Sequence, residues 1–424
     1  MKNKIKVIVL TGIVLIAALI LLLYAIPFFT QDRFYQDEAA EEEVFVPQRH
    51  TVTFAAVGDN LFHCSIISTS YVGGDHDFSP IFAEVKPIIQ AADLAFINQE
   101  TVMAGSSFGY SGWPLFNTPQ SLAQTLADTG FHVVNLANNH AMDMGRQGLY
   151  NTLDLLESIE ELTVIGARRE GESARIITKN NITFGFLAYT FSLNGIPLPR
   201  DNPNLVSMIN REVMEREITA LRPLVDFLIV SMHWGPEYRL QPDRSQTELA
   251  SFLAEQEVDL VIGHHPHVLQ RVETLAAPSG RETLVFYSLG NFASHQLEKE
   301  TLIGGMMVLT FSKQEYMTEY GEISEKLSID DVGVLPLITH YNRRFRGTKV
   351  YPLFLYTEEL LAEHGFHRYD PRRVAPYGFT MEFFQTVTER LQTRIITRNP
   401  FLPRGQVENN LIDILTQIWI FSNL

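Results

Sequence analysis

The chain predicts an α/β fold held behind a membrane anchor, and three observations carry that expectation. From Thr51 onward, short β-branched apolar runs alternate with stretches of helical spacing, the texture of βα units. Six of those runs end in a cluster of polar or ionisable residues. Near the start, one segment holds about 23 consecutive residues without a charge.

That segment, residues 7–29 with the sequence VIVLTGIVLIAALILLLYAIPFF, is longer than the roughly 20 residues a spanning helix needs. It also exceeds the apolar core of about 7–15 residues expected of a cleaved signal peptide, so residues 1–30 are expected to form an uncleaved anchor. Lys2, Lys4 and Lys6 precede it, which places the N-terminus in the cytoplasm and the rest of the chain outside the membrane. Residues 31–50 are polar and acidic, with Asp37, Glu38, Glu41, Glu42 and Glu43, and are expected as a solvated tether.

A chain of 424 residues, 46% of them hydrophobic, has enough material for one large domain with appendages. The main domain is expected over 51–311 and a C-terminal extension over 312–424. With Cys64 as the only cysteine, no intrachain disulfide forms, and stability must come from packing or bound metal. A formal net charge of −16 argues against a nucleic-acid partner, because backbone binding needs clustered Lys and Arg.

In chain order, strands are predicted over 51–57, 94–97, 132–136, 182–189, 226–232, 259–262 and 284–287. Helical spacing is read over 121–128, 146–159, 211–221 and 245–255. Past Leu309 the pattern loosens into polar turns, a strand-like stretch over 349–356 and a helical one over 381–393. The final apolar run, 411–424, falls short of the roughly 20 residues of a membrane span.

The strand ends hold the chemistry. Gly58-Asp59-Asn60 follows the first run, Asn98-Gln99-Glu100 the second and Asn138-Asn139-His140 the third. His233-Trp234-Gly235 closes another, Gly263 opens into His264, His265 and His267, and Gly290-Asn291 follows the last. In open α/β sheets ligands bind beyond the carboxyl ends of the strands, so these groups are aimed at one region.

Taken singly, each cluster has an ordinary explanation, because Gly and Asp are turn residues and a lone histidine is usually a hydrogen-bonded structural group. Together they form a mixed nitrogen and oxygen ligand set suited to Mn, Fe or Zn and unlike the all-oxygen cages of calcium. Pro266, between two imidazoles, fixes the backbone of a His-x-His clamp. One or two divalent ions are therefore expected.

The order of these motifs, Gly-Asp, Asn-x-Glu, Asn-Asn-His, His-Trp-Gly, Gly-His-His-Pro-His-Val and Tyr-Ser-Leu-Gly-Asn-Phe, resembles the CapA family of bacterial capsule proteins. That family is associated with poly-gamma-glutamate production and is related to the calcineurin-like metallophosphoesterases. The resemblance covers roughly residues 51–311 and implies a four-layer α/β/β/α sandwich with a dinuclear metal site in its loops. It implies that Asp59 and His267 hold a first metal, that Asn139, His233 and His265 hold a second, and that Glu100 bridges the two. His140 then faces the scissile group as general acid.

Two departures stand out. Asp59 is followed by Asn60 and Leu61, where the metallophosphoesterases have a histidine two residues after the aspartate, and the bridging carboxylate is the longer Glu100. Both weaken the first metal, for which His63 is a candidate replacement ligand, the alternative being a surface or core role for it. His264 is left out of the ligand set, Asn98, Asn291 and Glu237 are expected to orient ligands or fix loops, and Trp113 and Trp234 are read as cleft or core aromatics. The resemblance implies a metal-dependent hydrolase or transferase acting on an envelope polymer or a phosphoester, with membrane-bound capsule synthase subunits as partners. The alternatives are a non-catalytic, metal-stabilised component of the capsule machinery and, more weakly, a peptidoglycan-binding cleft.

Overall fold

The computed structural model describes residues 12, 14–21, 46–171, 174–368 and 380–401. Of the uncharged N-terminal run, Gly12 and residues 14–21 are described, as helix, and no described helix is long and apolar enough to cross a membrane. The remainder of that run, most of the expected tether and the apolar stretch 411–424 lie outside the described residues.

By contacts the chain divides into a small unit, Met1–Gln48 with Tyr316–Ser324, and a large one, Arg49–Glu315 with Glu325–Leu424. In the small unit a turn closes where the Thr318 N–H donates to the Glu322 carbonyl at 2.8 Å and the Gly321 N–H to the Thr318 carbonyl at 3.0 Å. The candidate site lies in the large unit.

The strands run in chain order as β1 (Arg49–Leu61), a short hairpin of β2 (Tyr71–Val72) and β3 (Asp75–His76), then β4 (Leu94–Gln99), β5 (Val133–Asn135) and β6 (Thr163–Ile165). There follow β7 (Arg175–Lys179), β8 (Ile182–Thr190), β9 (Phe227–His233), β10 (Leu260–His264), β11 (Val272–Ala276) and β12 (Glu282–Phe286). The last are β13 (Asn291–Ser294), β14 (Ile303–Met317), β15 (Ile323–His340) and β16 (Lys349–Pro352). One sheet has the order β16-β15-β14-β1-β4-β5-β6, with β13 also pairing β1, and the other the order β11-β12-β10-β9-β8-β7.

Each sheet is buried on both faces, which is why its central strands read as nearly continuous apolar runs. Side chains alternate across a strand, so Phe54 and Ala56 of β1 enter the core between the sheets with Phe96, Phe184, Phe186, Ile229 and Ile262. Ala55 and Val57 point the other way, into a core shared with Leu122 and Leu126 of the helix Ser121–Thr129 and Leu149, Leu153 and Leu156 of the helix Gly145–Glu157. On the far side, Leu228, Val230 and Val261 pack on Met214, Ile218 and Leu221 of the helix Arg211–Leu221 and Leu253 of the helix Arg244–Glu255. The layers are therefore helices, sheet, sheet, helices.

All seven predicted strands and all four predicted helices of the main stretch are present, with ends moved by a few residues. The long strands β14 and β15 were not anticipated. Residues 323–332 of β15 are exposed or half-buried and carry no apolar run, and burial is continuous only from Gly333 to His340. Described residues of the large unit beyond Glu325 share the main core: β15 and β16 extend the first sheet, and Phe384, Val387 and Leu391 lie in the same cluster as Phe54. The strand expected over 349–356 stops at Pro352 and continues as a 3₁₀ turn, Leu353–Leu355, and the helix expected over 381–393 ends at Glu389.

Parallel pairing of β1 with β4, of β4 with β5, and of β10 with β9 brings the loaded strand ends to one side. Two glycines permit the close approach there. A Cβ on Gly58 would lie 1.8 Å from the Gly290 carbonyl oxygen, and one on Gly263 would lie 2.0 Å from that of Tyr287. These contacts are with backbone, so no side-chain rotation relieves them. Gly58→Ala should therefore destabilise the fold by at least about 1–3 kcal/mol, the usual range for overpacking, read as a lowered urea midpoint; an unchanged midpoint would show that β1 and the Gly290 loop are not held this close.

Candidate metal centre

The structure brings Asp59, Glu100, Asn139, His233, His265 and His267 together, with His140 beside them. Asp59 lies in the last residues of β1, Glu100 follows β4, His233 ends β9, and the other two histidines follow β10. Asp59, Glu100 and His233 are 0% exposed.

Two buried groups of donor atoms, each within 4.8 Å of one another, share one carboxylate: Asp59, Glu100 and His267 form one, and Glu100, His233 and His265 the other. The second is extended by Asn139, whose Oδ1 lies 2.8 Å from His233 Nε2. Glu100 Oε1 is 3.5 Å from His233 Nε2 and 3.8 Å from His267 Nε2, which puts it between the two groups.

The surrounding residues hold the donors in place. Asn98 Nδ2 donates to Asp59 Oδ1 at 2.8 Å, and Asn135 Nδ2 donates to Asn98 Oδ1 at 2.9 Å. His267 Nδ1 lies 2.9 Å from Asp59 Oδ2 and 3.1 Å from Asn291 Oδ1, an orientation that leaves Nε2 facing Glu100. Such outer partners fix the ring and tautomer of a ligand histidine. The sequence reading of Asn98 and Asn291 as orienting groups agrees with these contacts.

His265 and His267 both take positive φ, 92° and 59°. For residues other than glycine this costs on the order of 1–3 kcal/mol each and persists only where surrounding structure demands it. Here the turn aims two imidazoles at one point.

The fit to a cation rests on Glu100. Both of its carboxylate oxygens are buried and neither has a hydrogen-bond partner among the described residues, and His233 Nδ1 and His265 Nδ1 are likewise unpartnered. A buried carboxylate without compensation is costly. Without a cation, burial and then the charge of Asp59 push Glu100 up to about 8. His267 is pushed up to about 9, because the Glu100 and Asp59 carboxylates outweigh the opposing effect of its burial. Burial raises Asp59, but its hydrogen bonds and charge interactions with His264 and His267 prevail and hold it well below its ordinary value. Desolvation pulls His233 and His265 well down, keeping them neutral and able to donate a lone pair. A nitrogen and oxygen set without thiolate matches Mn, Fe or Zn.

His140 lines a cleft of about 280 Å³ together with His63, Trp113, Phe116, Asn139, Asn194, Glu237, Tyr238, His267 and Gln296. Its Nδ1 lies 2.8 Å from Asp143 Oδ2 and its ring stands edge-on to Phe116 at 4.7 Å. The sequence reading missed Asp143, although it lies three residues after His140; it also missed Asn194, which comes from a loop remote in sequence.

His63, the candidate replacement ligand, belongs to none of the donor groups among the described residues; its Nδ1 lies 3.1 Å from the Leu61 carbonyl. Asn60 uses its amide on Gln99 at 2.7 Å. His264 lies under Asp59, 3.5 Å away, and stacks on Phe96. Trp234 is core, its indole N–H donating to the Tyr287 carbonyl at 3.0 Å, whereas Trp113 is 76% exposed at the cleft. Glu237, expected to fix a loop, instead places its carboxylate within 4.8 Å of donor atoms of His265 and His267.

Residues 53–296 match the profile of a family described as bacterial capsule synthesis protein PGA_cap. The chain is 31% identical over 223 residues to the PGA biosynthesis protein CapA of Bacillus subtilis (strain 168), a match that covers 51% of this chain and 57% of that one. It is 28% identical over 274 residues to the capsule biosynthesis protein CapA of Bacillus anthracis, covering 60% of this chain and 63% of that one. It thus spans less than two thirds of the length of either relative. Among solved structures, the NAD nucleotidase NadN of Haemophilus influenzae aligns with a TM-score of 0.40 and 12% identity, covering 88% of this chain and 68% of that one. A hypothetical protein from Thermus thermophilus aligns at 0.36 with 14% identity, covering 66% and 99%. Both likenesses are too slight to bear on function.

Two outcomes are expected. Because glycine adopts positive φ without strain and alanine does not, His265→Gly should be at least about 1 kcal/mol more stable than His265→Ala; equal denaturation midpoints would remove the strain from the account. In chelator-treated protein, Glu100 and His267 keep protons that the unfolded chain has lost, so their contribution to stability is present at low pH and disappears as pH rises through about 8 and 9. The denaturation midpoint should therefore fall between about pH 7 and 9.5, and added Mn²⁺ should raise it more at about pH 8.5 than at about pH 6.5, since the ligands must lose protons to bind. A metal increment independent of pH would contradict the assignment of Glu100.

Proposed function

The chain belongs to the bacterial capsule synthesis protein family that residues 53–296 match, and from that premise we propose that it is a metal-dependent hydrolase or transferase acting on an envelope polymer or a phosphoester during capsule synthesis. Poly-gamma-glutamate is the polymer that the names of its relatives suggest, and membrane-bound synthase subunits are the proposed partners. The charge-free run 7–29, preceded by three lysines, supports a membrane anchor with the main domain outside the cytoplasm. The observation that supports the reading is the unpartnered carboxylate of Glu100 lying between His267 on one side and His233 and His265 on the other, as a metallophosphoesterase-like dinuclear centre would require.

Asp59, Glu100 and His267 would hold one ion, and Glu100, Asn139, His233 and His265 the other. Divalent ions bound there supply Lewis acidity toward a phosphoryl or carbonyl oxygen and toward an attacking water. Asp143 fixes the His140 ring through Nδ1, which leaves Nε2 for the cleft and suits it to donate a proton to a leaving group. Asn194, 3.4 Å from the same Nδ1 and 3.3 Å from Asn139, ties this group to the metal ligands.

The non-catalytic reading keeps one specific support. β1 brings one carboxylate, Asp59, and no imidazole to the site, the residue two places on being the buried Leu61, which suits a site that is structural only. Metal-loaded protein should hydrolyse a generic phosphodiester or poly-gamma-glutamate, and His140→Ala should lower turnover by about 10²–10⁴-fold, the scale of general acid catalysis, at unchanged metal content. Absence of turnover by the metal-loaded wild type on both substrates would select the structural role, and full activity of the variant would remove His140 from the chemistry.

A further inference from the structure

Past Asp59, Asn60 has its amide nitrogen on Gln99 and its Oδ1 buried, and Leu61 is apolar; His63, beyond the end of β1, sets its Nδ1 against the Leu61 carbonyl and lines the cleft. Beside the His265-Pro266-His267 turn stands a third carboxylate, Glu237, exposed and lining the cleft. It forms a third donor group with His265 and His267, every donor atom within 4.8 Å of the others. Those two histidines are the ones that divide between the buried groups, His267 in one and His265 in the other.

The position of Glu237 is fixed by the same turn. The N–H of the next residue, Tyr238, donates to the Pro266 carbonyl at 2.8 Å, so the loop that carries Glu237 is pinned to the residue between the two histidines. Gly235 and Tyr238 flank it at positive φ, 77° and 64°, a backbone held in place rather than a relaxed loop. His265 Nδ1, buried and unpartnered, is a second independent sign that a ligand belongs there. The charge of Glu237 also reaches Glu100 and His267.

We propose that Glu237 is a further metal ligand, a carboxylate that closes the cluster from the cleft side. The inference rests on the metal centre described under the proposed function. A ligand on the solvent side of a cation, carried by an exposed side chain, exchanges more easily than Glu100, which is sealed on every side. Among the described residues no lysine or arginine lines the cleft, so Glu237 has no cationic side chain there to pair with.

The test is a Mn²⁺ titration of the chelator-stripped full chain, with free Mn²⁺ read by electron spin resonance, for wild type, Glu237→Gln, Glu237→Asp and His265→Ala. Glu237→Gln should weaken at least one ion by about tenfold or more, the lower end of the loss on removing a group that supports a metal, and Glu237→Asp should retain part of the affinity. Wild-type affinity and stoichiometry in Glu237→Gln, alongside loss in His265→Ala, would overturn the role of Glu237 alone. A wild type that binds no Mn²⁺ would overturn it together with the metal centre.

Discussion

Glu100 has neither solvent nor a hydrogen-bond donor among the described residues, and its nearest neighbours are imidazoles and another acid. The energetic cost of such a group is met either by a proton, which its upward shift to about 8 expresses, or by a cation. The rest of the site follows from that choice. Neutral His233 and His265 are useless as counter-charges to a carboxylate but well suited as lone-pair donors, and Asp59 stays ionised where Glu100 does not. Two carboxylates with opposite tendencies in one pocket are reconciled by added positive charge.

The scaffold is built to bring that pocket together. Two sheets with their parallel strands ending on the same side deliver the ligands from β1, β4, β9 and β10, while a core rich in phenylalanine fixes the separation of the sheets. The glycines at Gly58 and Gly263 let neighbouring backbone come closer than any side chain would allow. The strained turn at His265 and His267 then aims the imidazoles inward. Backbone distortion and steric intolerance coincide where the donors converge, a pattern expected of a site maintained at some cost to stability.

The cleft beside the donors has its own character. Among the described residues its walls combine amides and histidines with the exposed ring of Trp113 and hold one carboxylate but no lysine or arginine. With a net charge of −16 on the whole chain, long-range electrostatics oppose rather than attract a polyanion.

Much of this was legible in the amino-acid order. Apolar runs such as that over residues 51–57 were legible as strands, and the polar clusters at their ends named six residues that the fold does bring together, because parallel strands share a direction and so share an exit. The sequence did not disclose the long strands β14 and β15, since exposed strand residues carry no apolar signature. Nor did it pair His140 with Asp143, bring Asn194 to their side, leave His63 out of the donor groups or set Glu237 against two histidines. Periodicity and residue type determine which way a strand faces and what stands at its end; the reach of a loop side chain across the cleft depends on turns and packing distances that are settled only when both sheets and all their connections are in place.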